Sequence, residues 1–113
     1  FDVKYSRHTP AILGSSVVLP CNINETLPVK DLKVEWRKKN TKTLVNVYQD
    51  GRIQPQQDYH GRADFFMDQI QHGNFSLCLD NLRAEDEGQY TCRVNTKKKH
   101  VISAELDLIL RLL

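Results

Sequence analysis

The sequence predicts an all-β domain built as a two-sheet sandwich, and three observations carry that prediction. Short runs of alternating apolar and polar residues recur along the chain with turn residues between them. Cys21 and Cys92 bracket Trp36, and the second cysteine closes the run Asp86-x-Gly88-x-Tyr90-x-Cys92. No stretch has the length and period of a long helix; only Ala84-Glu85-Asp86 suggests a short helical turn.

The elements follow in chain order. Phe1-Asp2-Val3 reads as an opening strand. After the turn at Gly14-Ser15-Ser16, Val17, Leu19 and Cys21 share one strand face, and Leu32, Val34 and Trp36 share another. Residues 44–48 (LVNVY) run into Asp50-Gly51, a pair suited to a tight primed turn, and predict an edge hairpin. Residues 63–70 and 75–79 flank His72-Gly73-Asn74 and predict a second hairpin. Residues 89–94 carry the second cysteine, and the last strand, 102–110, turns Ile102, Ala104, Leu106, Leu108 and Leu110 inward.

Cys, Trp and Asp-x-Gly-x-Tyr-x-Cys in this register resemble the centre of an immunoglobulin variable-type (V-set) Greek-key sandwich. The resemblance implies one inter-sheet disulfide, Cys21–Cys92, with the Trp36 indole packed on it. It also implies that Tyr90 reaches back to the backbone near Asp86, and that Arg62 pairs with Asp86 through two parallel hydrogen bonds. A bridge closing a loop of about 70 residues stabilises a fold by roughly 4 kcal/mol on the chain-entropy account. The extra hairpin at residues 44–51 marks the variable rather than the constant type.

Composition narrows the class further. The 113 residues suit a single domain, expected here to be one V-type module over 1–113. Sixteen basic against fourteen acidic residues leave a net charge of +2, too little to point to nucleic acid or heparin. No apolar run approaches the roughly 20 residues that cross a bilayer, and the start does not read as a signal peptide. A paired-cysteine sandwich implies an oxidising compartment. The expectation is therefore an extracellular, membrane-distal ectodomain whose anchor lies outside this chain.

Further segments narrow the kinship. Phe1-Asp2-Val3 through Leu19-Pro20-Cys21, Val34-Glu35-Trp36-Arg37, 44–51, Tyr59-His60-Gly61-Arg62-Ala63 and 73–77 through Cys92 resemble the butyrophilin and myelin oligodendrocyte glycoprotein family. The T-cell costimulatory and coinhibitory ligands share much of the pattern. The resemblance implies a surface glycoprotein module that binds another cell-surface protein noncovalently, in immune regulation. Homophilic adhesion through a weak homodimer is the alternative. The Gly-x-Gly bulge of antigen-receptor last strands is absent after Cys92, which disfavours antigen-receptor-style pairing.

Relatives commonly bind through the outer face of the sheet holding the Trp36, Cys92 and last strands. Alternation places Lys33, Glu35 and Arg37 there, with Thr91, Arg93 and Asn95, then Val101, Ser103 and Glu105, and Val45, Val47 and Gln49 on the edge hairpin. Lys97, Lys98 and Lys99, with His100, form the turn between the last two strands, either a soluble hairpin tip or a charged contact that steers an acidic partner. Asn24-Glu25-Thr26 and Asn74-Phe75-Ser76 are glycosylation acceptors by rule, Asn24 and Asn74 being the sites. Cys78, between inward Leu77 and Leu79, is an odd cysteine on the outer face of its strand, either a covered free thiol or an intermolecular bridge. His8, His60, His72 and His100 are dispersed, so no catalytic group, metal or cofactor is expected.

Overall fold

The computed structural model describes residues 3–39, 41–59, 61–98 and 100–113, with the backbone alone for residues 3–7 and 55. Nine strands are found among them: β1 (Val3–Ile12), β2 (Val17–Leu19), β3 (Lys33–Lys38), β4 (Thr43–Gln49), β5 (Arg52–Pro55), β6 (Ala63–Phe65), β7 (Leu77–Leu79), β8 (Gly88–Asn95) and β9 (His100–Arg111). They form a six-stranded sheet in the order β1-β9-β8-β3-β4-β5 and a three-stranded sheet in the order β2-β7-β6. β1 runs parallel to β9, and all other pairs are antiparallel. The predicted edge hairpin is present. Asp50 and Gly51 both take positive φ (51° and 83°), and Gln49 pairs directly with Arg52, the two-residue primed turn that fits strand twist.

Period-two alternation buries one face of each sheet against the other. Leu19, Leu32, Val34, Trp36, Phe75, Leu77, Leu79, Tyr90, Val94, Leu106 and Leu108 are all essentially inaccessible. Cys21 and Cys92 are disulfide-bonded through this core. The Trp36 indole N–H donates to the Phe75 carbonyl 2.9 Å away, just before β7. The largest core side chain therefore also ties the two sheets by its polar end, which a buried indole needs.

The corner before β8 is the second tie. Arg62 donates to both carboxylate oxygens of Asp86 at 2.9 and 3.1 Å, and to the carbonyls of Asp80 and Asn81. Asp86 also accepts the Arg83 backbone N–H at 2.9 Å, and the Tyr90 hydroxyl donates to the Asp86 carbonyl. Arg62 sits over the Tyr59 ring, 5.3 Å from its centroid. Burial raises the Asp86 pKa, but the Arg62 hydrogen bonds, the Arg83 amide and the Arg62 charge outweigh it and hold the carboxyl below its ordinary value. Burial likewise pushes the Tyr90 phenol far up, so it stays a neutral donor.

Three expectations need correction. The strand expected over 63–70 stops at Phe65; Met67–His72 is a 3-10 turn, closed by Gly73 at φ 95°. A Cβ on Gly73 would lie 2.4 Å from the Ile23 carbonyl oxygen. The turn therefore packs on the backbone after Cys21 instead of making a tight hairpin. Val45 does not face outward: Trp36 pairs with Asn46 but Arg37 with Leu44, so Val45 is the extra residue of a bulge and points into the core, 1% exposed. Asn46 is turned inward beside it and donates to the Ala63 carbonyl at 2.8 Å. Val101 is displaced the same way. Val94 pairs with Ile102 and Asn95 with His100, leaving Val101 unpaired and packed against the core edge.

Candidate recognition face

The outer face of the six-stranded sheet is laid out by register, because directly paired residues project to the same side. One row runs Gln49, Lys33, Asn95 and His100; the next Val47, Glu35, Arg93 and Ser103; the next Leu44, Arg37, Thr91 and Glu105. Of the candidates named from the sequence, Lys33, Glu35, Arg37, Val47, Gln49, Thr91, Arg93, Asn95, Ser103 and Glu105 come together here. Val45 and Val101 do not, for the bulges just described. Val47 and Ser103 are on the face but nearly inaccessible (3% and 7% exposed), so neighbours cover them and they are floor, not contact.

Charge on this face is largely paired. Glu35 accepts from Arg37 at 2.8 Å and lies 3.8 Å from Lys33; Glu105 meets Lys39 at 3.1 Å. Glu35, Arg37, Lys39, Lys42, Thr91, Arg93, Ser103 and Glu105 line a shallow depression of ≈ 260 Å³. His100 was missed by alternation because of the Val101 bulge. Its Nδ1 lies 2.7 Å from Asn95 Oδ1 and its Nε2 3.0 Å from Ser103 Oγ. Burial, helped by the Arg93 charge, lowers the His100 pKa, which favours the neutral ring that can donate on one side and accept on the other.

The tip holds the other candidates. Lys97 pairs with Asp31 at 3.2 Å while remaining largely exposed, and Lys98 is exposed; Lys99 lies outside the described residues. Asn24 is exposed, whereas Asn74 is half-buried, donating to Gln69 at 2.6 Å and accepting from the Ser76 amide. Both line an open concavity of ≈ 840 Å³ between the segment after Cys21, the Met67–His72 turn and the start of β9. On the other sheet Cys78 is a half-buried free thiol, in the cross-strand row Val18, Cys78, Asp64. Among the described residues no cluster of His, Cys, Asp and Glu could hold a metal, and no helix is long and apolar enough to cross a membrane.

The immunoglobulin V-set domain matches residues 4–111, almost the whole of the two sheets just described. The chain belongs to the V-set family. It is 33% identical to human butyrophilin subfamily 1 member A1 over 73% of its length and 16% of that protein's. It is 32% identical to human myelin-oligodendrocyte glycoprotein, over 81% of this chain and 39% of the other. Human V-set domain-containing T-cell activation inhibitor 1 is also 32% identical, over 76% and 32%. The chain thus spans well under half of these relatives. Among solved structures, a chain in the complex of ICOS with ICOS-L and an anti ICOS-L VNAR domain superposes with a TM-score of 0.89 at 26% identity. That match covers 96% of this chain and 56% of the other. The human B7-H4 IgV-like domain gives 0.80 at 27%, over 89% and 90%.

Proposed function

We propose that this V-set domain is the extracellular recognition module of a cell-surface glycoprotein. It binds a receptor on another cell noncovalently, through the outer face of the six-stranded sheet, and turns nothing over. One observation carries the reading: that face presents a shallow, mixed-charge panel whose Glu35 and Glu105 carboxylates are already held in place by neighbouring cations. A pre-ordered polar panel with a covered floor suits a modest, reversible contact better than a permanent one. Relatives named for T-cell inhibition, and a structural neighbour solved with ICOS, support an immune receptor as the partner class. Glycans at Asn24 and Asn74 would occupy the tip concavity and leave the sheet face as the accessible surface.

The test is a screen of the multimerised domain against an array of cell-surface ectodomains, ICOS-type receptors included. Saturable binding to a receptor, weakened by substitutions on this face, is the expected result; binding insensitive to every face substitution would overturn the reading. The face carries both charge signs, the feature that favours homophilic adhesion as the second reading. Sedimentation at rising concentration separates the two: a strict monomer supports the receptor, and concentration-dependent dimers blocked by face substitutions support adhesion.

A further inference from the structure

We infer that the receptor bound by this face presents an acidic side chain to Arg93, which is the carboxylate seat of the panel; this rests on the sheet-face reading above. Most charges on this face are already committed to one another. Four cations, Arg37, Lys39, Lys42 and Arg93, line the depression against two carboxylates, Glu35 and Glu105. Glu35 is held by Arg37 at 2.8 Å with Lys33 at 3.8 Å, and Glu105 by Lys39 at 3.1 Å. The Arg37 guanidinium is further fixed by a hydrogen bond to the Lys42 carbonyl. Among the described residues, the side chains of Arg93 and Lys42 make no ion pair or hydrogen bond. The two carboxylates are therefore neutralised, and two exposed positive groups are left over in one depression.

Arg93 is the better placed of the two. It projects from β8, in the interior of the sheet, with Glu35 directly across on β3 and Ser103 across on β9. Glu35 turns Oε1 to Arg37 and Oε2 toward Lys33, and Ser103 meets His100, so neither takes up the guanidinium. A planar fork that finds no partner among the described residues matches a carboxylate's two oxygens. Lys42, on a loop at the rim, adds unpaired positive charge that favours approach of an acidic surface. An acidic group docking here completes the set without displacing an existing pair, whereas a basic group would add to the uncompensated charge.

The experiment titrates the isotopically labelled domain at low salt with N-acetyl-aspartate amide and with its neutral isostere, N-acetyl-asparagine amide, following the arginine Nε–H resonances. The expected result is a saturable shift at Arg93 with the aspartate ligand, at least fivefold larger than with the asparagine ligand, and absent from Arg37. Equal shifts with both ligands, no shift, or a shift spread evenly over the basic tip would overturn the seat. In the ectodomain array, loss of a hit on Arg93→Gln with incomplete rescue by Arg93→Lys supports it. A hit that tolerates Arg93→Gln but is lost on Thr91→Arg overturns the seat while leaving the sheet face as the binding surface. A hit indifferent to both overturns the face as well. Loss of the hit on sialidase treatment of the receptor would move the carboxylate to a sugar and overturn the side-chain source.

Discussion

Replacing Asp86 by Asn perturbs the buried corner with almost no change of shape. In the native corner Asp86 accepts two hydrogen bonds from Arg62 and one from the Arg83 amide, and it is 2% exposed. Asn keeps one acceptor oxygen and loses the charge. Arg62, 9% exposed, would then be an uncompensated guanidinium, held by the Asp80 and Asn81 carbonyls and the one remaining side-chain oxygen. Removing one partner of a buried pair costs about 3–5 kcal/mol; the retained oxygen puts this substitution at the low end, about 3 kcal/mol. For a domain of this size that is a fall in Tm of roughly 12 °C. The pH dependence adds a sharper signature. The Asp86 pKa is lower folded than unfolded, so the unfolded chain binds more protons between the two values and stability rises with pH across that window. The contribution is complete above the ordinary carboxylate pKa of about 3.9 and is lost as pH falls through the lowered folded value. Thermal melts followed by tryptophan fluorescence from pH 7 to pH 2 should show a wide gap between wild type and Asp86→Asn that closes below pH 4. A gap under about 0.5 kcal/mol at pH 7, or one that persists unchanged in acid, would refute the reasoning.

Two other sites give independent checks. Gly73→Ala should destabilise the domain by more than about 1 kcal/mol, because φ is 95° and the new Cβ would meet the Ile23 and Glu25 carbonyls; an unchanged Tm would mean that the tip segments pack otherwise. Burial, with the Asp80 and Asp64 carboxylates, raises the Cys78 pKa. The native thiol should therefore react with a disulfide reagent at pH 7.5 on the order of tenfold more slowly than the urea-unfolded chain, and run as a monomer without reductant. Fast labelling or a dimer band abolished by Cys78→Ser would contradict this.

Much of the architecture was legible in the residues because it rests on local rules. Inward alternation placed Leu19, Val34, Trp36, Leu77 and Leu108 correctly, and Asp50-Gly51 announced its own turn type. The Arg62–Asp86 pair and the Tyr90 corner were readable from their motif. What was not legible depends on partners rather than on the strand itself. A bulge is a mismatch in count between two strands, so nothing in residues 44–48 or 100–104 marks Val45 or Val101 as the extra one. The end of β6 is a similar case: Phe65, Phe66, Met67 and Ile70 are as apolar as a strand requires, and only Gly73 packing under the Ile23 carbonyl decides for a 3-10 turn. On the candidate recognition face, alternation gave the correct side for Val47 and Ser103 but not their burial. His100 joined Asn95 and Ser103 only through the displaced register.

The most direct measurement compares two matched substitutions, one on each sheet. Thr91→Arg adds a long cation to the middle of the six-stranded sheet's outer face, and Val18→Arg adds the same side chain to the exposed face of the three-stranded sheet. Affinity for the receptor recovered from the ectodomain array should fall at least tenfold for Thr91→Arg and stay within twofold for Val18→Arg, with both domains melting close to wild type. Loss confined to Val18→Arg, or full affinity in Thr91→Arg, would place recognition somewhere other than the panel that carries Arg93.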